Sequence, residues 1–465
     1  MNTAMAAMPP IAHWNPEDPV FWAARGRAVA ARNLVISIAA LVLAFAVWML
    51  WSVVVVHLPQ AGFRYSTNQL FWLAALPALS GATLRLFYAF AVPLVGGRRW
   101  TALATASLLL PAVGIGLAVQ DPATPYELMV LLALAAGLGG GNFASSMAHI
   151  SYFYPAAHKG TALGLNAGLG NLGLAAAQFA VPLAIAGALF GPLGGAPQAL
   201  ADDTPLWLQN AGYLWVPFIV VAALAAWFGM DDLAEVRAGF AEQAVIFTRR
   251  HNWIMSWLYL GSFGSVIGLA AGLPLLMAAQ FPGHDALAVA WIGPLAAALV
   301  RPLGGWLADR LGGARVTLWV FVVLAVGVVA LDRFLPDSTA TGVPGGYAGV
   351  LASALVLFVA AGIGTGSSFR MIPTIFATER GRAAAPTPAA QDRAAREAAT
   401  ESAAALGFAS AVGAYGGFVI PKAWGTSIAL TGGAEAALLL FLAFYLSCIA
   451  ITWWAYARRY ASMPC

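Results

Sequence analysis

Twelve long apolar stretches, separated by short polar breaks, make up most of the chain. They cover residues 34–56, 69–95, 101–119, 126–154, 160–188, 211–229, 252–280, 286–308, 314–335, 347–376, 402–430 and 433–457. A helix needs about 20 residues to cross the hydrocarbon core. In lipid a lone helix satisfies its own backbone, whereas an open sheet does not. The fold class predicted is therefore all-α, a membrane protein of twelve transmembrane helices. Composition agrees: 61% of the 465 residues are hydrophobic and 9% charged, against roughly 25% charged in a soluble domain.

The sparse charges give the organisation. Seventeen of the 23 basic residues fall in the termini and in one set of alternate breaks. Arg64, Arg333 and Lys422 fall on the other side. This positive-inside bias places both termini in the cytoplasm. The largest charged break in the middle of the chain, 230–251, separates two sets of six spans. The expected domains are a cytoplasmic segment at 1–33, a six-helix lobe at 34–229, a cytoplasmic linker at 230–251, a second six-helix lobe at 252–457 and a cytoplasmic tail at 458–465. Residues 1–33, with Pro9, Pro10, Glu17 and Asp18, do not read as a signal peptide. Cys448 and Cys465 suit neither a disulfide nor a metal site. No metal cluster, nucleophile triad or cofactor motif occurs, which argues against an enzyme, and the scattered basic residues are not a nucleic-acid signal.

The two sets of spans echo each other. Ala135–Phe143 (AAGLGGGNF) returns as Ala360–Phe369 (AAGIGTGSSF), and Ala162–Gly173 (ALGLNAGLGNLG) as Ala405–Gly416 (ALGFASAVGAYG). The offset between copies grows from 225 to 243 residues. The extra length is the polar, Ala-rich segment 381–400, expected to be a loop or short surface helix. A six-plus-six repeat predicts a two-lobed architecture with its site between the lobes near the midplane. Small residues in the echoed stretches let helices approach closely and slide.

Two arginines cannot be assigned to a break. Arg85 lies eleven residues before Gly96-Gly97, and Arg301 eleven before Gly312-Gly313. Eleven helical residues rise roughly 16 Å, half of a core about 30 Å thick. One arginine per half thus reaches the midplane, where a charge costs at least ~2.5 kcal/mol. All nineteen acids lie in breaks or at span ends, so no internal counter-ion is available. The alternatives, snorkelling or pairing of Arg301 with Asp309, are opposed by depth and by eight intervening residues. A small oxyanion held between two guanidinium forks fits better. Asn171 is a further ligand candidate, whereas Asn142 reads as an interhelical hydrogen bond. Tyr259 and Phe263, one turn apart, share a face and alone read as core. Arg370 reads as a vestibule or structural residue. His149 reads as a hydrogen-bonded helix-end histidine, with proton carriage the alternative.

GLGGGNFASSMAHISYFYP and KGTALGLNAGLGNLG resemble the nitrate signature of the nitrate/nitrite porter family of the major facilitator superfamily. AAGIGTGSSF resembles its second copy. GGWLADRLGG resembles the superfamily's loop between spans 8 and 9, and VPLVGGRRW its partner between spans 2 and 3, without the usual acid. The likeness extends through NPEDPVFWAARGR, RNLVIS, LAALPALSGATLR and REAATESAAALGF and covers nearly the whole chain. It implies nitrate and nitrite as substrates, a bacterial inner (cytoplasmic) membrane location, and a monomer without cofactor or metal. It also implies that Arg85 and Arg301 are the two substrate arginines, that Asn171 is a polar site residue, and that Tyr259, Phe263, Phe143 and Phe45 line the pocket. Ala167, His149 and Arg370 depart from the family pattern. Arginine does not release a proton in the relevant range and no carboxylate is buried at mid-depth, so nitrate/nitrite exchange by alternating access is favoured. Proton symport through His149 or a tyrosine–water path is the alternative, and a nitrate sensor that does not turn over is a further one.

Overall fold

The computed structural model describes residues 9–88, 90–199, 204–234, 245–336, 346–459, 461, 463 and 465. Of the charged residues read above, Asp202, Asp203, Glu235, Arg237, Glu242 and Asp337 lie outside these. Twelve helices are long and apolar enough to cross a membrane: Pro19–His57, Thr67–Tyr88, Gly97–Ala118, Tyr126–Phe153, Ala156–Ile185, Asn210–Gly229, Arg250–Gln280, Leu287–Leu311, Gly313–Phe334, Tyr347–Ala383, Pro388–Thr431 and Glu435–Ala457. They are numbered spans 1 to 12 in that order. All twelve coincide with the apolar stretches of the sequence.

Several boundaries differ from the sequence reading: span 2, read as 69–95, stops at Tyr88, and a separate short helix follows at Ala91–Val95. Span 1 starts at Pro19, capped by the Asp18 side chain, which accepts from Val20 N. More substantially, segment 381–400 is neither a loop nor a separate surface helix. Span 10 runs on to Ala383, and span 11 begins at Pro388. Alanine, arginine and glutamate are strong helix formers, and Arg393 pairs with Glu397 one turn on, at 2.9 Å. Glu401, buried at 5% exposure, receives both Arg249 at 3.0 Å and Arg380. The polar extension therefore anchors the linker's end to spans 10 and 11.

The repeat has a structural counterpart at two levels. Gly96 and Gly312 both take positive φ, 93° and 88°, immediately before the helices of spans 3 and 9. Glycine adopts this region without the Cβ penalty, so each turn reverses the chain at the same distance from its arginine. Spans 5 and 11 also break alike. Asn171 and Tyr415 have nearly identical dihedrals, φ −64° with ψ −17° and φ −63° with ψ −18°. In each, an amide three residues on bonds back: Leu174 N to Asn171 O at 3.1 Å, Phe418 N to Tyr415 O at 2.9 Å. That is one tight 3₁₀-like turn inside a long helix.

The glycines are where helices touch. A methyl group on Gly173 of span 5 would overlap Val42 O of span 1, and one on Gly416 of span 11 would overlap the Gly264 backbone of span 7. Gly140 of span 4 sits against Gly81 of span 2, whose Cα would be 2.9 Å from an added methyl. Gly366 of span 10 sits against the Arg301 carbonyl of span 8. These contacts hold the arginine-bearing spans 2 and 8 at backbone distance from their neighbours.

At the face carrying both described chain ends, Asp232 supplies the acid that VPLVGGRRW lacks. Its Oδ1 accepts from Arg98 N at 2.8 Å, and its Oδ2 lies 3.6 Å from Arg98 Nε, both side chains being buried. Ile11 bridges to Leu233 beside it. Ala314 N, at the matching position in the second half, donates to Cys465 O at 3.0 Å. Asp232→Asn keeps the backbone bond and removes the charge facing a buried guanidinium. We expect it to lower stability by about 1–2 kcal/mol, read as an earlier thermal unfolding transition in detergent.

Candidate functional site

Arg85 and Arg301 are both buried, at 1% and 8% exposure. Proline and glycine shape the helices that carry them. Span 2 contains Pro77 and ends at Tyr88, eight residues short of Gly96, and span 8 contains Pro302 directly after Arg301.

Arg85 is held by backbone and by rings. Its Nε donates to Gly140 O of span 4 at 2.8 Å, and one Nη donates to Ser410 O of span 11 at 2.9 Å. The second bond crosses from the first half to the second. Four aromatic faces surround the guanidinium: Phe143 at 4.8 Å, Trp48 at 5.2 Å, Phe263 at 5.4 Å and Phe45 at 5.8 Å. Phe45 and Phe143 stand nearly parallel, 12° apart with centroids 6.1 Å apart. Desolvated cation–π contacts offset part of the burial cost. Trp48 is itself fixed, donating to Pro77 O at 2.7 Å.

Arg301 is held less completely. Its Nη2 donates to Tyr259 Oη at 3.3 Å, and its guanidinium lies 5.2 Å from the Phe369 ring. Tyr259 and Phe263, with centroids 5.4 Å apart, link the two arginines through span 7. No acid among the described residues pairs with either. Arg85 Nη2 and Arg301 Nη1 are both buried and without a hydrogen-bond partner. Each fork thus keeps one unused charged donor, a costly arrangement in a low-dielectric interior.

The structure places Arg85, Phe45, Phe143 and Phe263 together, and Arg301 with Tyr259. Asn171 stands at the break in span 5 with its Oδ1 buried and unpartnered, and neither arginine hydrogen-bonds to it. Asn142 does not use its Oδ1 in the expected interhelical bond; that oxygen is buried without a partner. Asn142 lines a small recess together with Ser37, Leu41, Thr105 and Ser146. His149 is hydrogen-bonded as read, through Nε2 to Asn33 Oδ1 at 3.2 Å. Arg370 pairs with Asp309 at 2.5 Å, both half-exposed. Sequence reading missed Trp48, Phe369 and the Gly140 and Ser410 carbonyls. Two signals were present: Trp48 is one turn beyond Phe45, and Phe369 ends the second copy of the motif that Phe143 ends in the first, one residue later.

Among the described residues, further hydrogen bonds join the halves. Thr83 meets Tyr415 Oη at 2.8 Å, Gln178 donates to Ala270 O at 2.6 Å, and Lys422 donates to Asn68 at 3.0 Å. Toward the terminal face, Gly164 and Gly168 of span 5 and Gly407 of span 11 meet nothing within 4 Å.

The profile of the Major Facilitator Superfamily matches residues 36–387. The chain is 48% identical to the nitrate/nitrite transporter NarU of Salmonella typhimurium over 451 residues, covering 97% of this chain and 96% of that protein. It is 46% identical to NarU of Escherichia coli, covering 96% of each. It is 38% identical to a Thermus thermophilus protein named a probable nitrate/nitrite antiporter, NarK2, covering 98% of each. Among solved structures, a bacterial homolog of the lysosomal transporter Spinster superposes with TM-score 0.61 at 15% identity, over 91% of this chain and 96% of that one. The nucleoside transporter NupG gives 0.60 at 12% identity, over 90% and 98%. These two share the fold. Twelve spans in two echoing halves, a buried arginine at the same place in each, and near-full-length identity to these relatives lead to one assignment: the chain belongs to the Major Facilitator Superfamily, and within it to the nitrate/nitrite porter family.

Proposed function

We propose that this protein exchanges nitrate for nitrite across a bacterial inner membrane, by alternating access around Arg85 and Arg301. The observation that carries the reading is the pair of buried guanidiniums, one from each half, each with an unused donor and no acid partner. A small oxyanion supplies the missing counter-charge and accepts from both forks. The near-parallel Phe45 and Phe143 rings favour a flat anion over a tetrahedral one. Both termini are placed in the cytoplasm by the charge distribution of the breaks, so the lobes 34–229 and 252–457 are here joined on the outer side. Asn171, at the break in span 5, is the further polar residue assigned to the ligand. One chain carries both arginines and the rings around them, which supports a monomer as the transporting unit.

Exchange follows from electrostatics. Without an anion, closing the halves around two positive charges is opposed by their repulsion and desolvation. A bound monoanion offsets part of that charge and lets the halves rock, so the return step needs an anion from the other side. The test is nitrate uptake into proteoliposomes. Nitrite inside should drive uptake, and a proton gradient into nitrite-free vesicles should not. Equal uptake under the two conditions would sink the exchange mechanism in favour of proton symport.

Tyr259 is given the role of orienting Arg301 and contributing a hydroxyl to the anion. Tyr259→Phe removes one hydrogen bond while keeping the ring beside Phe263. The expected result is about fivefold lower nitrate affinity, measured as the half-saturating concentration for exchange.

A further inference from the structure

On the outer surface of the second half, spans 8, 9 and 10 enclose a groove of about 670 Å³. Arg315 is the single charged residue of its lining, and all the others are apolar. Trp319, Val323, Val356 and Val359 are part of the wall, and Trp319 is 66% exposed. The groove begins one turn into span 9, at the terminal face. From Arg315 to Val323 it follows eight helical residues, roughly 12 Å, close to the depth of one leaflet's hydrocarbon. Arg315 is exposed and no acid pairs with it among the described residues. On the other side of the turn at Gly312, Arg310 stacks on Trp306, 4.4 Å from the ring.

We propose that this groove is a binding site for one anionic phospholipid of the leaflet at the terminal face, with an acyl chain in the groove and its phosphate on Arg315. Three features of the groove support this. The wall is apolar along a length that matches an acyl chain in one leaflet. The recess is concave, so an ordered chain covers more of it than a mobile one. The unpaired cation stands at the end of the groove where a headgroup lies. A basic residue near a membrane surface favours an anionic over a zwitterionic headgroup by about fivefold. A tryptophan at the same level suits the amphipathic interface.

Native mass spectrometry of the detergent-purified chain tests this without reference to transport. Palmitoyl-oleoyl phosphatidylglycerol and the phosphatidylcholine with the same acyl chains are titrated in parallel. The expected result is one retained phosphatidylglycerol bound about fivefold more tightly than phosphatidylcholine. Arg315→Gln should abolish that preference. Val359→Trp, which fills the groove, should lower retention of both lipids while the protein stays monodisperse. Equal retention of the two lipids by the unaltered protein, or an unchanged preference in Arg315→Gln, would overturn the assignment. Displacement of the bound species by soluble glycerol phosphate would do so as well, since it would identify a free-phosphate site.

Discussion

Arg85→Lys and Arg301→Lys each lower nitrate-for-nitrite exchange by at least about 100-fold, equivalent to about 2.7 kcal/mol, although the charge is kept. Lysine is a compact, strongly hydrated point charge, whereas the guanidinium is a planar fork. At Arg85 two of the three nitrogens already donate to Gly140 O and Ser410 O, and the third is the unused one. An ammonium on a four-carbon stem does not reproduce three donors in fixed directions. It also loses the flat contact with Phe45, Trp48, Phe143 and Phe263. At Arg301 the loss is of the bond to Tyr259 Oη and of the free Nη1. Initial rates in proteoliposomes, normalised to reconstituted protein, decide the matter. Either lysine variant working at the unaltered rate would refute the two-fork site.

Gly416→Val is expected to destabilise the protein by at least about 3 kcal/mol, at the upper end of overpacking costs. The added atoms meet the backbone of Gly264, which is not a flexible side chain that can turn away. Span 11 would have to move off span 7, taking with it the Ser410 carbonyl that holds Arg85 and the Tyr415 contact with Thr83. Gly164→Ala is the control, because nothing lies within 4 Å of the added methyl, and alanine is the better helix former. Size-exclusion profiles after heating should show early loss of the Gly416→Val peak and an unchanged or later loss for Gly164→Ala. Equal profiles for the two variants would contradict the close-packing account.

How much of this was legible follows from which interactions leave a mark on residue type. Lipid imposes long apolar runs, so all twelve spans could be read directly. The matching places of Arg85 and Arg301 were legible because each stands eleven residues before a glycine turn, and the structure gives Gly96 and Gly312 the positive φ of such a turn, although the helix of span 2 already stops at Tyr88. The partners of Arg85 were not legible, because a backbone carbonyl carries no sequence label. Segment 381–400 was misread because polarity suggested a loop, while its alanine, arginine and glutamate content favours a helix. Asp232 was missed because the acid serving the turn between spans 2 and 3 is contributed from beyond span 6, far along the chain. Phe369 was within reach: it ends the second copy of the motif that Phe143 ends in the first, one residue later, and only the first copy was used. The oxygens of Asn142 and Asn171 remain unpartnered side chains whose geometry no sequence pattern predicts.

In the proposed exchange, the anion is the counter-charge that allows the halves to change places. Nitrite efflux from loaded proteoliposomes addresses this most directly, with dilution either into medium free of transportable anion or into the same medium containing nitrate. The predicted result is slow efflux in the first case and at least about tenfold faster efflux in the second, because an empty two-arginine site crosses poorly. Efflux at the same rate in both media would contradict it, since the empty protein would then return as readily as the loaded one.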